Sequence, residues 1–196
     1  VCAIIYKESP LPFLVPALIS LGVSFLLTLN PKKQDRSLFA KDGFICVGFA
    51  WILVSAVGAL PFLLSGEISS FASAYFESVS GFTTTGSSIF SNVEALPKSI
   101  LLWRSLTQWV GGMGVLVFIL AVVNNLSDRS IHILRAESPG PVVGKLVPRM
   151  KQATRILYII YIVLTVLNFV FLLAGGMPVF ESIVHALGTA GTGGFG

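Results

Sequence analysis

Two segments carry residue types from which a cation path can be built: Ser80–Ser88 reads SGFTTTGSS and Gly188–Gly196 reads GTAGTGGFG. Each follows a short apolar run, and each short run follows a much longer hydrophobic span. Backbone carbonyls freed where a helix breaks can replace the water shell of a cation. Irregular backbone at membrane depth survives only where it lines a cavity or is buried in protein. Glycine at 86, 193 and 194 is expected to supply the positive φ that turns successive carbonyls toward one axis. Thr83, Thr84, Thr85 and Thr192 add hydroxyls on stiff, branched side chains. Neither segment holds a carboxylate, whereas divalent sites use acidic oxygen ligands. The chemistry implied is dehydration of a monovalent cation, potassium first, by neutral dipoles.

The elements that must position these segments are membrane spans. Apolar residues make up 54% of the chain, charged ones 11%, and mean hydropathy is +0.86. A soluble domain carries roughly a quarter charged residues. The ranges 11–30, 43–64, 105–127 and 156–177 contain no Asp, Glu, Lys or Arg, and each has about the 20 residues that cross a hydrocarbon core as a helix. Four full spans and two half-spans are expected. The fold class is thus an all-α membrane protein of repeated span–re-entrant pore helix–span units, as in potassium channels. The sequence opens at Val1 in mid-hydrophobic sequence and stops inside the second Gly-rich segment, so it reads as a fragment truncated after the second filter loop. Cys2 and Cys46 stand in apolar runs without metal-site spacing and are expected to be free thiols.

Charge sets the orientation. Lys32, Lys33, Arg36 and Lys41 fall in the connection 31–42, and Arg129, Arg135, Lys145, Arg149, Lys151 and Arg155 in 124–155. Basic loops of this size stay in the cytoplasm. Segment 65–97 then begins and ends outside, and its apolar part, 69–82, is too short to cross and must dip in and return. Four parts follow: extra N-terminal transmembrane helices and a cytoplasmic loop over 1–42, a first repeat over 43–123, a cytoplasmic loop over 124–154, and an incomplete second repeat over 155–196. The basic residues form no face interleaved with aromatics, so nucleic acid is not the partner; lipid headgroups are.

Gly194 follows Gly86 at the same step that sets Gly193 on Thr85 and Thr192 on Thr84. This register lays 71–82 on 179–190, and 43–64 on roughly 155–174. A competing register matches Phe76-Glu77-Ser78 to Phe180-Glu181-Ser182 but displaces the glycines. Two units cannot enclose an ion, because a carbonyl ring needs about four loops.

Arg104, near the outer end of the span 98–123, needs a partner or a route to water. Glu77 on the first re-entrant helix is the nearest acid by topology, and the pair would brace that helix. Snorkelling between Trp103 and Trp109 is the alternative. Gly111, Gly112 and Gly114 make a smooth patch suited to a helix crossing tightly behind a pore loop. His185 falls opposite Glu77 and has no second metal ligand at helical spacing; His132 lies in the loop 124–154. A serine hydrolase using Ser80 and His185 lacks the G-x-S-x-G elbow. A purely structural membrane subunit remains as a further alternative.

The motifs SGFTTTGSS, WRSLTQWVGGMGVLVFILAVV and RAESPGPVVGKLVPRMKQATRILYIIY strongly resemble the Trk/Ktr/HKT superfamily of potassium transporters, from about residue 38 to Gly196. The helices before the first repeat look like the Trk form rather than the shorter Ktr form. The resemblance implies four span–pore–span repeats around one path, two of them here, in a homodimer of a multi-pass bacterial cytoplasmic (inner) membrane protein. Filter positions fall on Thr84, Thr85, Gly86, Thr192, Gly193 and Gly194, with K+ as the transported ion and no organic cofactor. It also implies a cytoplasmic nucleotide-binding regulatory ring, of the TrkA type, docking where 124–154 lies. A sodium-permeable pore, or K+/Na+ or K+/H+ symport through the same architecture, is the alternative, since field strength and loop flexibility decide between the ions.

Overall fold

The computed structural model describes residues 2–28, 40–114 and 146–195, with side chains given except at 27–28, 40–44, 46 and 146–154. Every regular element among them is a helix. These are α1 (Cys2–Ile5), α2 (Leu11–Thr28), α3 (Ala40–Leu64), α4 (Phe71–Phe82), α5 (98–114), α6 (Leu146–Ala174) and α7 (Val179–Ala190). Residues 29–39, the last part of the span 98–123 (115–123), and the loop 124–145 with His132 lie outside the described residues.

Length and composition make two stretches, Val47–Leu64 in α3 and Arg155–Ala174 in α6, long and apolar enough to cross a membrane. Of the four spans expected, these two meet that measure. The apolar part of α2, Leu11–Leu26, is shorter, and α5 leaves the described residues after 114. The two short helices α4 and α7 have 12 residues each, about 18 Å at 1.5 Å per residue, well short of a ~30 Å core. Both occupy the ranges that the glycine register gave them.

Burial runs opposite to that of a water-soluble domain. Leu18, Phe25, Phe49, Leu53, Leu164 and Phe171 are exposed, while Ser55, Glu77, Ser78, Arg104, Thr107, Gln108 and Ser182 are buried. Apolar exteriors on that scale are stable where the solvent is itself apolar. The polar interior then demands internal hydrogen bonds. A smaller apolar core of Ala59, Phe62, Ile68, Ala74, Leu96 and Ile100 joins α3, α4 and the start of α5.

Packing follows chain order. α2 lies against α3, α3 against α4, and α6 against α7. Gly58 admits α4 to α3: a Cβ there would stand 2.5 Å from the Phe82 ring and 2.7 Å from Ser78 Oγ. Its carbonyl accepts the Trp103 indole N–H at 3.0 Å. α5 starts on a tertiary cap. The backbone N–H groups of Lys98 and Ser99 donate to Glu8 Oε1 and Oε2 at 2.8 and 2.9 Å, placing a carboxylate on the positive end of the helix. At the other end, Tyr161 Oη donates to the Trp109 carbonyl at 3.0 Å, and Trp109 Nε1 donates to Thr165 Oγ1 at 3.1 Å. Those two bonds tie α5 to α6.

Candidate functional site

Both short helices end in the same way. After α4, Thr83 N donates to Val79 O, Thr84 N to Gly81 O and Thr85 N to Ser80 O. After α7, Gly191 N donates to Leu187 O, Thr192 N to Thr189 O and Gly193 N to Gly188 O. This is the i→i−3 and i→i−5 pair of a Schellman ending, whose left-handed residue is usually glycine. Here it is threonine each time. Thr84 has φ 55° and Thr192 φ 53°, and of the described residues Lys7 is the other non-glycine with positive φ. By contrast, α3 and α6 are followed by left-handed glycines, Gly66 and Gly176, at φ 82° and 87°. A β-branched residue in that region costs about 1–2 kcal/mol, so both loops hold strain that a glycine would remove.

The structure departs from the sequence expectation at one of the three glycines. Gly86 and Gly194 do have positive φ, at 77° and 74°, but Gly193 does not; the left-handed position before it is Thr192. Gly193 is required for a different reason: a Cβ on it would collide with the Gln108 carboxamide. The two loops also meet. A Cβ on Gly86 would fall on the Gly193 carbonyl oxygen and 3.3 Å from the Gly194 Cα. Segments that lie 108 residues apart in the chain (86 to 194) thus abut through backbone alone.

α5 stands between the loops and touches each with a different stripe. Thr107 and Gly111 face the first: a Cβ on Gly81 would collide with Thr107 Oγ1, and one on Gly111 with the Phe82 carbonyl. Gln108 and Gly112 face the second. A Cβ on Gly191 would stand 2.5 Å from the Gln108 carbonyl oxygen, and one on Gly112 3.1 Å from the Gly191 Cα. Gly114 instead meets the Trp51 ring, at 3.3 Å. The glycine patch seen in the sequence is therefore the clearance that lets one helix back two loops.

A charged cluster lies beside the first loop. Arg104 Nε stands 2.8 Å from Glu77 Oε1, with the two side chains 2% and 0% exposed. Arg104 is thus paired and buried rather than reaching outward between the tryptophans. Ser88 Oγ donates to Glu77 Oε1 at 2.9 Å and accepts from Arg104 Nη2 at 3.0 Å; Ile89 N donates to Glu77 Oε2 at 3.0 Å. Satisfying both carboxylate oxygens is what makes a buried pair tolerable. The guanidinium also lies 4.0 Å from the Phe195 ring centroid, a cation–π contact that links the same arginine to the residue after Gly194. Thr83 Oγ1 donates to Val79 O and pairs with Thr85 Oγ1, both at 2.7 Å.

His185 occupies the helix position in α7 that Glu77 has in α4, but it lines a cavity of about 610 Å³ with Glu94, Lys98, Arg104, Glu181 and Phe195. Ser80 Oγ is buried without a hydrogen-bond partner, so no base stands ready to activate it. Cys2 is a free thiol, and the Cys46 side chain lies outside those described. No group of three or more metal-ligating side chains occurs among the described residues. Sequence reasoning missed Gln108, Ser88 and Glu8. Gln108 had a signal, a carboxamide inside a charge-free span; the other two depend on contacts between distant segments.

The sequence profile of the TrkH family, described as cation transport protein, matches residues 15–196. The chain is 35% identical over 196 residues to the Trk system potassium uptake protein TrkH of Salmonella typhimurium, covering 98% of this chain and 41% of that protein. It is 36% identical over 198 residues to the Trk system potassium uptake protein TrkG of Escherichia coli, covering 100% and 41%. Its fold matches the crystal structure of the potassium transporter TrkH from Vibrio parahaemolyticus with a TM-score of 0.72 at 30% identity, over 94% of this chain and 37% of that one. The chain therefore spans about 41% of the length of the curated relatives it matches, and those relatives are transporters, not enzymes. With the profile matched across nearly all of its residues, this chain belongs to the TrkH family of cation transport proteins.

Proposed function

We propose that this chain supplies two of the pore loops of a potassium uptake pathway in the bacterial cytoplasmic membrane. The observation that carries the reading is the meeting of two strained, chemically neutral loops at Gly86 and Gly193. In both, a threonine of positive φ, a residue whose φ is not positive and a glycine of positive φ succeed one another. Carbonyls of an ordinary strand alternate between its faces; alternation in the sign of φ aims them to one side. Carbonyls of Thr84, Thr85 and Gly86, and of Thr192, Gly193 and Gly194, are then the ligands that stand in for water around K+. Four span–pore–span repeats close the ring, two of them here: 43–123, and 155–196 as an incomplete second. The α4 and α7 C-termini add partial negative charge beside the path. No covalent step is needed. An inside-negative potential supplies about 2.3 kcal/mol per charge per 100 mV.

The Arg104–Glu77 pair braces the first loop by holding Ser88 and Ile89 to α4. The pore mouth faces outside and the basic connections face the cytoplasm, where a nucleotide-binding regulatory subunit of the TrkA type docks near 124–154. The protein works as a homodimer with its apolar exterior against lipid. The names of the relatives, potassium uptake proteins of the Trk system, support the ion and the system. The test is Rb+ uptake into proteoliposomes holding the full-length protein, with K+ and Na+ as competitors. Block by K+ and not by Na+ is expected. Equal block by Na+ would replace the potassium assignment with a pore open to both ions.

A further inference from the structure

Gln108 is 0% exposed, and neither Oε1 nor Nε2 of its carboxamide has a hydrogen-bond partner. A buried unsatisfied amide is destabilising, so its retention needs a reason. The reason lies in what it touches. Three glycines, two in the second loop and one in the last turn of α7, are fitted against this residue: Gly193 against the carboxamide, Gly191 against the backbone carbonyl at 2.5 Å, and Gly188 of α7 with a would-be Cβ 3.2 Å from Oε1. Among the described residues no comparable amide backs the first loop, where Thr107 spends its hydroxyl on the Arg104 carbonyl at 2.6 Å.

We infer that Gln108 is a positioning residue for selectivity: its carboxamide, packed directly behind Gly193, fixes how closely the second loop can approach α5 and offers its unpaired polar atoms to that loop's peptide units, and so sets the spacing of the carbonyls that face the ion. The loop backbone is what these orphaned atoms pack against, so pairing with it is the contact that would relieve the cost of burying them. Carbonyl spacing and loop stiffness are the quantities on which discrimination between K+ and Na+ depends. This rests on the proposed pore, and it adds that one loop is tuned from behind by a neutral side chain.

The test is a double-mutant cycle on Rb+ uptake by the full-length protein in liposomes, reading the K+ to Na+ competition ratio. Gln108→Leu keeps volume and removes both polar atoms. It is expected to lower the ratio about tenfold, or about 1.4 kcal/mol, while uptake persists. Gly188→Ala, whose Cβ presses only on the flexible end of Gln108, is expected to lower it about threefold. In the Gln108→Leu background, Gly188→Ala should add nothing further. An unchanged ratio in Gln108→Leu would overturn the inference, as would additive effects. If Gln108→Leu fails to fold, Gly188→Ala decides alone, and an unchanged ratio again overturns it. A wild-type protein without Rb+ uptake, or with uptake indifferent to Gly86→Asp, would overturn the pore reading and this inference together; intact pore behaviour with unaltered selectivity would remove the inference only.

Discussion

The loop after α4 and the loop after α7 share one backbone pattern and stand on different supports. Behind the first are charges: Glu77, Arg104 and the Ser88 hydroxyl between them, all hydrogen-bonded. Behind the second is Gln108, neutral and without a partner, with His185 where the first unit has Glu77. A repeated geometry therefore does not require repeated chemistry. Backbone angles are set by where the short helix breaks and by which residue is left-handed; the support has only to fill the space behind and satisfy what it buries. Arg104 belongs to both halves, since it also lies over Phe195.

The sharpest way to break this comparison is at the two left-handed glycines. Gly86→Ala meets both a forbidden φ and the Gly193 carbonyl, whereas at Gly194 the nearest atom to a new Cβ is the Gly86 Cα at 3.9 Å. Strain of about 1–2 kcal/mol applies to each, and overpacking adds about 1–3 kcal/mol only at Gly86. Rb+ uptake should fall about 100-fold or more in Gly86→Ala and about tenfold in Gly194→Ala. Equal losses would mean that the loops do not abut.

Next in size is the contrast between Glu77 and His185. Glu77→Gln leaves Arg104 buried without its counter-charge, a loss of roughly 3–5 kcal/mol, which is on the order of a 10 °C drop in melting temperature. His185→Gln, at the matching position beside a cavity, should change it by less than about 2 °C, within the ±0.5 kcal/mol usual away from special contacts. Replacing both Glu77 and Arg104 with Leu should cost less than Glu77→Gln alone. Thermal melts in detergent report all three.

The threonines give a smaller effect of opposite sign. Thr84→Gly and Thr192→Gly each relieve a left-handed β-branched residue and should stabilise by about 1 kcal/mol. Both should also blunt discrimination against Na+, because the loop gains freedom. A stabilised loop with sharper selectivity would argue against strain as the reason for threonine.

The smallest effect is the Glu8 cap, which has no counterpart in the second unit among the described residues. Burial pushes the Glu8 carboxyl up, but hydrogen bonds from the Ser99 side chain and backbone and from the Lys98 backbone, with the Lys98 charge, outweigh it and hold the group below its ordinary value of 4.5. The folded state then binds fewer protons than the unfolded one as pH falls below that value. The cap's contribution is full above about pH 4.5 and is lost as pH drops through the folded value. Wild type should melt above Glu8→Gln at pH 6, by about 1 kcal/mol of capping, and the gap should close at about pH 3.

Much of the fold could be read from the chain because membrane constraints are coarse. Charge-free runs gave α3 and α6, length alone made 71–82 and 179–190 half-spans, and the cost of an unpaired buried arginine pointed from Arg104 to Glu77. The site was harder to read where side chains act across the structure. The pattern of glycines suggests a φ requirement at Gly193, whereas the structure gives it clearance for Gln108, and local preference argues against threonine as the left-handed residue. Glu8 was invisible because its partners lie 90 and 91 residues away.

The central claim is that the two loops share one ion. Anomalous diffraction from crystals of the full-length protein soaked in Rb+ tests it most directly. The account predicts a Rb+ peak within coordination distance of carbonyls from both Thr84–Gly86 and Thr192–Gly194. Rb+ found at only one loop, or at neither, would contradict it.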